Sequence, residues 1–262
     1  MSTYKSNSII SRINNNIDTK VDLHFEYVFN ISKDLHNKTN GLFDPSIGPL
    51  VNYLNFGPNN NYKNYDDLKN LIGFDNFELA DGLVKRPNNS FLDFNAIAKG
   101  YSVDIISDFL DKNNVSSYLV EVGGEIKVKG KNLKKNIDWK VGLDKPRFDG
   151  LQMELYNSFS LIDKSMATSG IYRKFKIDSL GNRYAHIINP KTGYSSKTNI
   201  LSVTVISDNC IIADAYATAL HLMTIDEIKN FTKMNNDISV FVIYLDEKNN
   251  MKDISFNNFP II

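Results

Sequence analysis

Between Val21 and Asn40, apolar side chains recur at Phe25, Val28, Phe29 and Leu35, with Ser32 filling the remaining step of the series. Steps of three and four predict an amphipathic helix, and Gly41 supplies its stop. Leu42 to Pro49 is rich in Gly and Pro and reads as loop, followed by a short apolar run through Leu54. The asparagine-rich piece from Pro58 to Tyr65 reads as a surface loop. Asp93 is placed to cap a second helix running through Ala96, Ile97, Tyr101, Val103, Ile106 and Leu110, which Asn113 and Asn114 stop.

Beyond that helix the period changes. Tyr118 to Val122 predicts a buried strand, and Ile126 to Lys129, Trp139 to Leu143 and Leu151 to Ile162 alternate as antiparallel strands do. Leu201 to Ile206 predicts a strand, Asn209 to Met223 an alanine-rich helix, Ile225 to Met234 another helix, and Ser239 to Leu245 a last buried strand. Because strands cluster instead of alternating strictly with helices, the expected class is α+β, antiparallel sheets packed with helices.

The chain has 262 residues, enough to bury a large core without disulfides or structural zinc, and its single cysteine, Cys210, can form no internal disulfide. Thirty basic and 30 acidic residues give a net charge of zero, which argues against nucleic acid as a partner. No apolar run reaches the roughly 20 residues that cross a bilayer, and the first residues carry no secretory signal pattern.

Chemistry-bearing residues fall in a few places. Asp214 and Thr218 stand four apart on the alanine-rich helix, so their oxygens share a face, a spacing of hard ligands that suits magnesium. The alternative is that Asp214 caps its helix and Thr218 bonds back to a carbonyl. Asp93 to Tyr101 places an acid, a small residue and Lys99 at a helix start, where a pyrophosphate is well received; the competing reading is a capped helix with a solvated lysine. Gly123 and Gly124 permit close backbone approach to a ligand. His186 can accept a proton from a hydroxyl near neutral pH or serve as a hydrogen-bonded loop residue. His24, His36 and His221 show no partner pattern and read as structural, and Ser165, Thr168 and Ser169 offer hydroxyls without a nucleophile-elbow sequence.

Taken in order, several segments resemble one family, the ApbE-type FAD:protein FMN transferases: Met1-Ser-Thr-Tyr4 with Ile10 to Asn14, Gly41 to Val51 with Phe56-Gly57, Asp93 to Tyr101, Val122-Gly-Gly-Glu125, Ser165 to Gly170 with Tyr172-Arg173, His186 to Pro190, and Asp214 to Thr218. The resemblance covers nearly the whole chain and implies one flavin transferase domain over 1–262 with a T-fold-related architecture. It implies that FAD is split at its pyrophosphate, FMN passing to a threonine hydroxyl of an acceptor protein while AMP leaves. By position, Asp214, Thr218 and the backbone oxygen of Ala96 would hold Mg2+; Asp93 and Lys99 would contact FAD, as would Tyr4, Leu42, Phe43, Asp44 and Ile188. His186 is the candidate base. The implied partner is an acceptor with an exposed Ala-Thr-type motif, such as a respiratory or electron-transfer subunit. The implied location is the periplasm or the outer face of the cell membrane, where relatives are lipoproteins.

Glu125 stands where many relatives carry aspartate, which keeps the carboxylate. Met1 coincides with the start of the first motif, so the chain is expected to lack an upstream strand and export signal, and to be less soluble than a version extended upstream. Asp163 to Thr168 faintly resembles the acceptor motif, which raises self-modification at Thr168 as an expectation to test. Two other functions fit the same residues: an FAD pyrophosphatase yielding FMN and AMP, and a flavin-binding protein without turnover.

Overall fold

The stripe at Phe25, Val28, Phe29, Ser32 and Leu35 folds as expected, all five buried along one helix, in a computed structural model that describes residues 1–58, 65–149, 154–172, 175–177, 183–195 and 198–261. The chain divides into two units, Met1–Ala98 with His186–Ser196, and Lys99–Ala185 with Lys197–Ile262.

The first unit is mostly helical. It contains α1 (Ile9–Asn14), α2 (Leu23–Lys38), a 3-10 turn at Pro45–Ile47, α3 (Gly48–Tyr53), α4 (Tyr65–Lys69) and a hairpin of β1 (Glu78–Ala80) and β2 (Leu83–Lys85). Ser8 and Asp22 cap α1 and α2, each accepting a hydrogen bond from the backbone N–H three residues on. An aromatic core holds these helices: Phe25 meets Phe94 edge-on at 5.3 Å, and Phe29 lies 4.9 Å from Phe74 between ring centres. The Arg86 guanidinium donates to the carbonyls of Ile13 and Asn14 at the C-terminal end of α1, where carbonyls lack partners within the helix.

Two expectations in this unit need correction. Leu42 to Pro49 is not simply loop, since Asp44 accepts from the Ser46 N–H and opens the 3-10 turn that leads into α3. Pro45 and Pro49 occupy first-turn positions, where proline's fixed φ favours a helix and its missing N–H costs nothing. Asp93 likewise caps a turn, accepting from the Asn95 N–H at 2.7 Å, and the regular helix begins later, at Ala98. Of the asparagine-rich loop, residues 59–64 lie outside the described residues, and Tyr65 already belongs to α4.

The second unit is built on a six-stranded antiparallel sheet. Its elements are α5 (Ala98–Lys112), β3 (Tyr118–Val122), β4 (Glu125–Lys129), β5 (Lys131–Asn132), β6 (Ile137–Asp144), β7 (Leu155–Leu161), β8 (Ser165–Gly170), β9 (Phe175–Ile177), β10 (Arg183–Ala185), β11 (Ile200–Ser207), α6 (Cys210–Leu220), α7 (Ile225–Met234), β12 (Ser239–Leu245) and β13 (Met251–Phe256). The sheet order is β13-β12-β11-β8-β4-β3; β5, β6 and β7 form a second sheet, and β9 pairs with β10. On one face of the large sheet Val103 of α5 and Cys210 of α6 pack with Tyr118 and Val120 of β3. On the other face Val128, Met166, Phe241 and Ile243 meet Val141, Leu143, Phe159 and Leu161 of the β6–β7 pair. Every residue of β11 is buried, as befits a strand covered on both faces.

The predicted strands and helices of this unit are present, β3, α7 and β12 with the expected bounds and the others with one or both ends moved; residues 151–153 lie outside the described residues. Three readings change. Tyr118–Val122 is an edge strand whose burial alternates, leaving Leu119 and Glu121 exposed. Ile106 is exposed too, because the inner face of α5 is Gly100, Tyr101, Val103, Asp104 and Ser107. The last strand is β13, whose alternation is too polar to predict a buried strand. Among the described residues no helix is long and apolar enough to cross a membrane.

Candidate functional site

Helix α6 is buried along nearly its whole length, with alanines at 213, 215, 217 and 219 letting it lie close to its neighbours. Asp214 and Thr218 sit one turn apart on it, as their spacing requires. Neither plays the alternative role. The cap position is Asn209, so Asp214 stands inside the helix, and Thr218 Oγ1 lies 3.0 Å from Ser169 Oγ on β8.

The Asp214 carboxylate, only 4% exposed, accepts through Oδ2 from the Gly100 N–H at 2.9 Å. That contact depends on glycine, since a Cβ at position 100 would stand 2.3 Å from the Cys210 carbonyl oxygen. Among the described residues no donor reaches Oδ1 of Asp214. Lys99, the residue before Gly100 in the first turn of α5, pairs through Nζ with Oε1 of Glu125, which opens β4 and is 2% exposed. The two-residue turn that precedes Glu125 is Gly123-Gly124, both at positive φ, and a Cβ on Gly123 would stand 3.4 Å from the Lys99 stem. The glycine pair therefore lets a tight hairpin close beside the lysine.

Burial, and then the neighbouring Glu125 charge, push the Asp214 carboxyl up to about 7, against the opposing pull of Lys99 and the Gly100 N–H. Two buried carboxylates share one ammonium here, leaving negative potential that a cation would relieve. A carboxylate oxygen without a donor, a hydroxyl one turn away and a second acid nearby form an oxygen-rich set, of the kind that fits magnesium and not a soft metal. Among the described residues no group of three or more His, Cys, Asp and Glu side chains is placed to hold a metal, so any ion would rely on hydroxyl, backbone or ligand oxygens as well.

Asp104 is a contributor that the sequence pattern did not reveal. Its two carboxylate oxygens accept from the N–H groups of Cys210 and Ile211, capping α6 from the side, and Lys127 pairs with it at 3.1 Å. The N–H groups it caps lie more than a hundred positions away in sequence, so no local spacing signals the role.

In the first unit, Tyr4 donates from its hydroxyl to the Phe56 carbonyl at 3.1 Å, and the Phe56 ring meets the His186 ring edge-on at 6.2 Å. Burial and the Asp93 charge raise the Tyr4 phenol. Phe56 thus links Tyr4, through its carbonyl, with His186, through its ring. Ala96, expected as a ligand through its carbonyl, lies in the turn that Asp93 begins. Phe43 and Ile188 are buried, Ile188 packing with Leu50 and Leu68, while Leu42 is half-buried. The Asp44 carboxylate is held internally by the Ser46 N–H and hydroxyl, so its side chain is committed to the fold. His36 has partners after all: Nδ1 donates to the Phe43 carbonyl at 2.9 Å, and Asp44 and Asp75 stand 3.8 and 3.7 Å from its ring nitrogens.

Thr168 is not presented as an acceptor. It lies in the middle of the sheet with Oγ1 2.8 Å from Thr204 Oγ1, which removes the expectation of self-modification. Arg173 lies outside the described residues.

Known proteins share this arrangement of elements. A family model described as the ApbE family matches residues 1–242. The chain is 31% identical over 258 residues to the FAD:protein FMN transferase of Haemophilus influenzae, covering 93% of this chain and 73% of that protein. It is 32% identical over 233 residues to the enzyme of the same name from Vibrio cholerae, covering 85% and 69%. The solved flavin transferase ApbE of Vibrio cholerae superposes with a TM-score of 0.85 at 30% identity, over 97% of this chain and 82% of that one. The ApbE protein of Thermotoga maritima gives 0.82 at 25% identity, over 96% and 82%. The motifs read from Tyr4 to Thr218, the α+β architecture and these likenesses agree, and the chain belongs to the ApbE family.

Proposed function

We propose that this protein is an FAD:protein FMN transferase that moves FMN from FAD to a threonine hydroxyl of an acceptor protein. The new bond joins the acceptor oxygen to the FMN phosphorus, the pyrophosphate P–O bond breaks, and AMP departs with the second phosphate. The observation that carries the reading is the Asp214–Thr218 pair on a buried helix, with Lys99 at the start of the adjoining one, in a chain of this family.

The Asp214 carboxylate and the Thr218 hydroxyl would hold Mg2+. Bound there, the metal supplies electrostatic stabilisation to phosphate oxygens as charge moves onto the leaving group. Lys99 is half-exposed, and its ammonium can leave Glu125 to contact a diphosphate. Asp93 and Tyr4 are proposed to contact FAD. His186, at the start of the Ile-Ile-Asn-Pro segment, is proposed to accept the proton of the incoming threonine hydroxyl at a ring nitrogen. Family resemblance supports an acceptor with an Ala-Thr-type motif, of the respiratory or electron-transfer kind, and action outside the cytoplasmic membrane.

The test is incubation with FAD and Mg2+, with and without a protein bearing that motif, following AMP release and acceptor mass. AMP and an FMN mass increment that both require acceptor support the transferase. AMP without acceptor means hydrolysis, and no AMP in either arm means a flavin binder.

A further inference from the structure

The Asp214–Thr218 reading leaves one hydroxyl unused, Ser169 Oγ, which lies 3.0 Å from Thr218 Oγ1. We propose that Ser169 is a positioning residue that accepts a hydrogen bond from the Thr218 hydroxyl and so turns the lone pairs of Thr218 toward a divalent cation. The proposal rests on the metal-site reading and extends it to a residue that reading does not include.

The direction of the bond follows from charge. A hydroxyl oxygen that faces a cation must point its proton elsewhere, and coordination makes that proton a better donor. Ser169 is the acceptor the structure places there. It can do so because β8 alternates: Ser165, which donates to the Asp208 carbonyl just before α6, and Ser169 share the face toward α6. Met166 and Thr168 point the other way, Met166 toward the β6–β7 pair. β8 is central in the sheet, paired along its length with β11, so the Ser169 backbone is fixed by Val203 across the ladder. A rigid strand thus sets the rotamer of a side chain on the helix it supports.

The test uses Mn2+ as the probe, titrated into FAD-free protein and followed by the loss of the free-ion EPR signal, with melting temperature recorded for each variant. Ser169→Ala is expected to weaken Mn2+ binding about tenfold, as loss of an outer partner of a ligand does. Ser169→Thr, which keeps an acceptor oxygen, should bind as the parent does, and Ser169→Cys, close in shape but a poor acceptor, should resemble alanine. Combining Ser169→Ala with Thr218→Val should cost no more than Thr218→Val alone. Unchanged binding in Ser169→Ala and Ser169→Cys, beside a weakened Thr218→Val, overturns the role of Ser169 while sparing the metal site. Additive losses in the double variant overturn it as well. If neither Asp214→Asn nor Thr218→Val weakens Mn2+ binding, the metal site itself fails and the proposal fails with it.

Discussion

The backbone N–H of Gly100 donates to Oδ2 of Asp214 across 2.9 Å, joining the first turn of α5 to the middle of α6. A methyl at position 100 would stand 2.8 Å from Asp214 Cβ as well as 2.3 Å from the Cys210 carbonyl. Gly100→Ala should therefore push the helices apart and cost about 1–3 kcal/mol, the range for overpacking, with a matching drop in the urea midpoint. An unchanged midpoint would show that the two helices do not depend on this approach.

Asp214→Asn keeps an acceptor for the Gly100 N–H and removes the charge. With one buried carboxylate fewer beside Glu125, the metal-free protein should melt at or above the temperature of the parent, while AMP release falls by at least about 100-fold. Calorimetry and an AMP assay on the same preparation check both halves; retained activity would remove Asp214 from the chemistry.

Asp104→Ala leaves the Cys210 and Ile211 N–H groups and the Lys127 ammonium without their carboxylate. A loss of about 3 kcal/mol is expected, because breaking a buried pair exposes the cost of the partner left behind. Asp104→Asn should recover part of it by keeping one acceptor. Denaturant titration of the three proteins gives the order directly.

His186→Gln should lower flavin transfer to an acceptor by about 100-fold or more, the contribution of a general base, while FAD binding measured by flavin fluorescence changes little. Equal transfer rates for parent and variant would exclude His186 as the base.

Long periodic elements were legible in the sequence, and the reason is burial on one side. The stripe of α2, the span of α7 and the alternation of β6 follow from which face each buries. β8 was not legible, because Ser-Met-Ala-Thr-Ser-Gly has neither alternation nor β-branched weight; its strand form is imposed by β4 and β11 on either side. Pro45 and Pro49 misled for the opposite reason, since the same residue that breaks a helix also begins one. In the site, the Asp214–Thr218 spacing was readable because both lie on one helix. Gly100, Asp104 and Ser169 act across long sequence separations, so their contributions emerge only when strand and helix are brought together.

The burial of α6 has a further consequence. A helix whose residues 213 to 217 are almost inaccessible to solvent, capped from the side by Asp104 and braced by β8, cannot tilt or slide to meet a ligand. Asp214 and Thr218 are thus preorganised, their geometry fixed when the chain folds and the ordering entropy already spent before any ligand arrives. Adaptation then falls to half-exposed Lys99, whose ammonium can change partners without disturbing the helix.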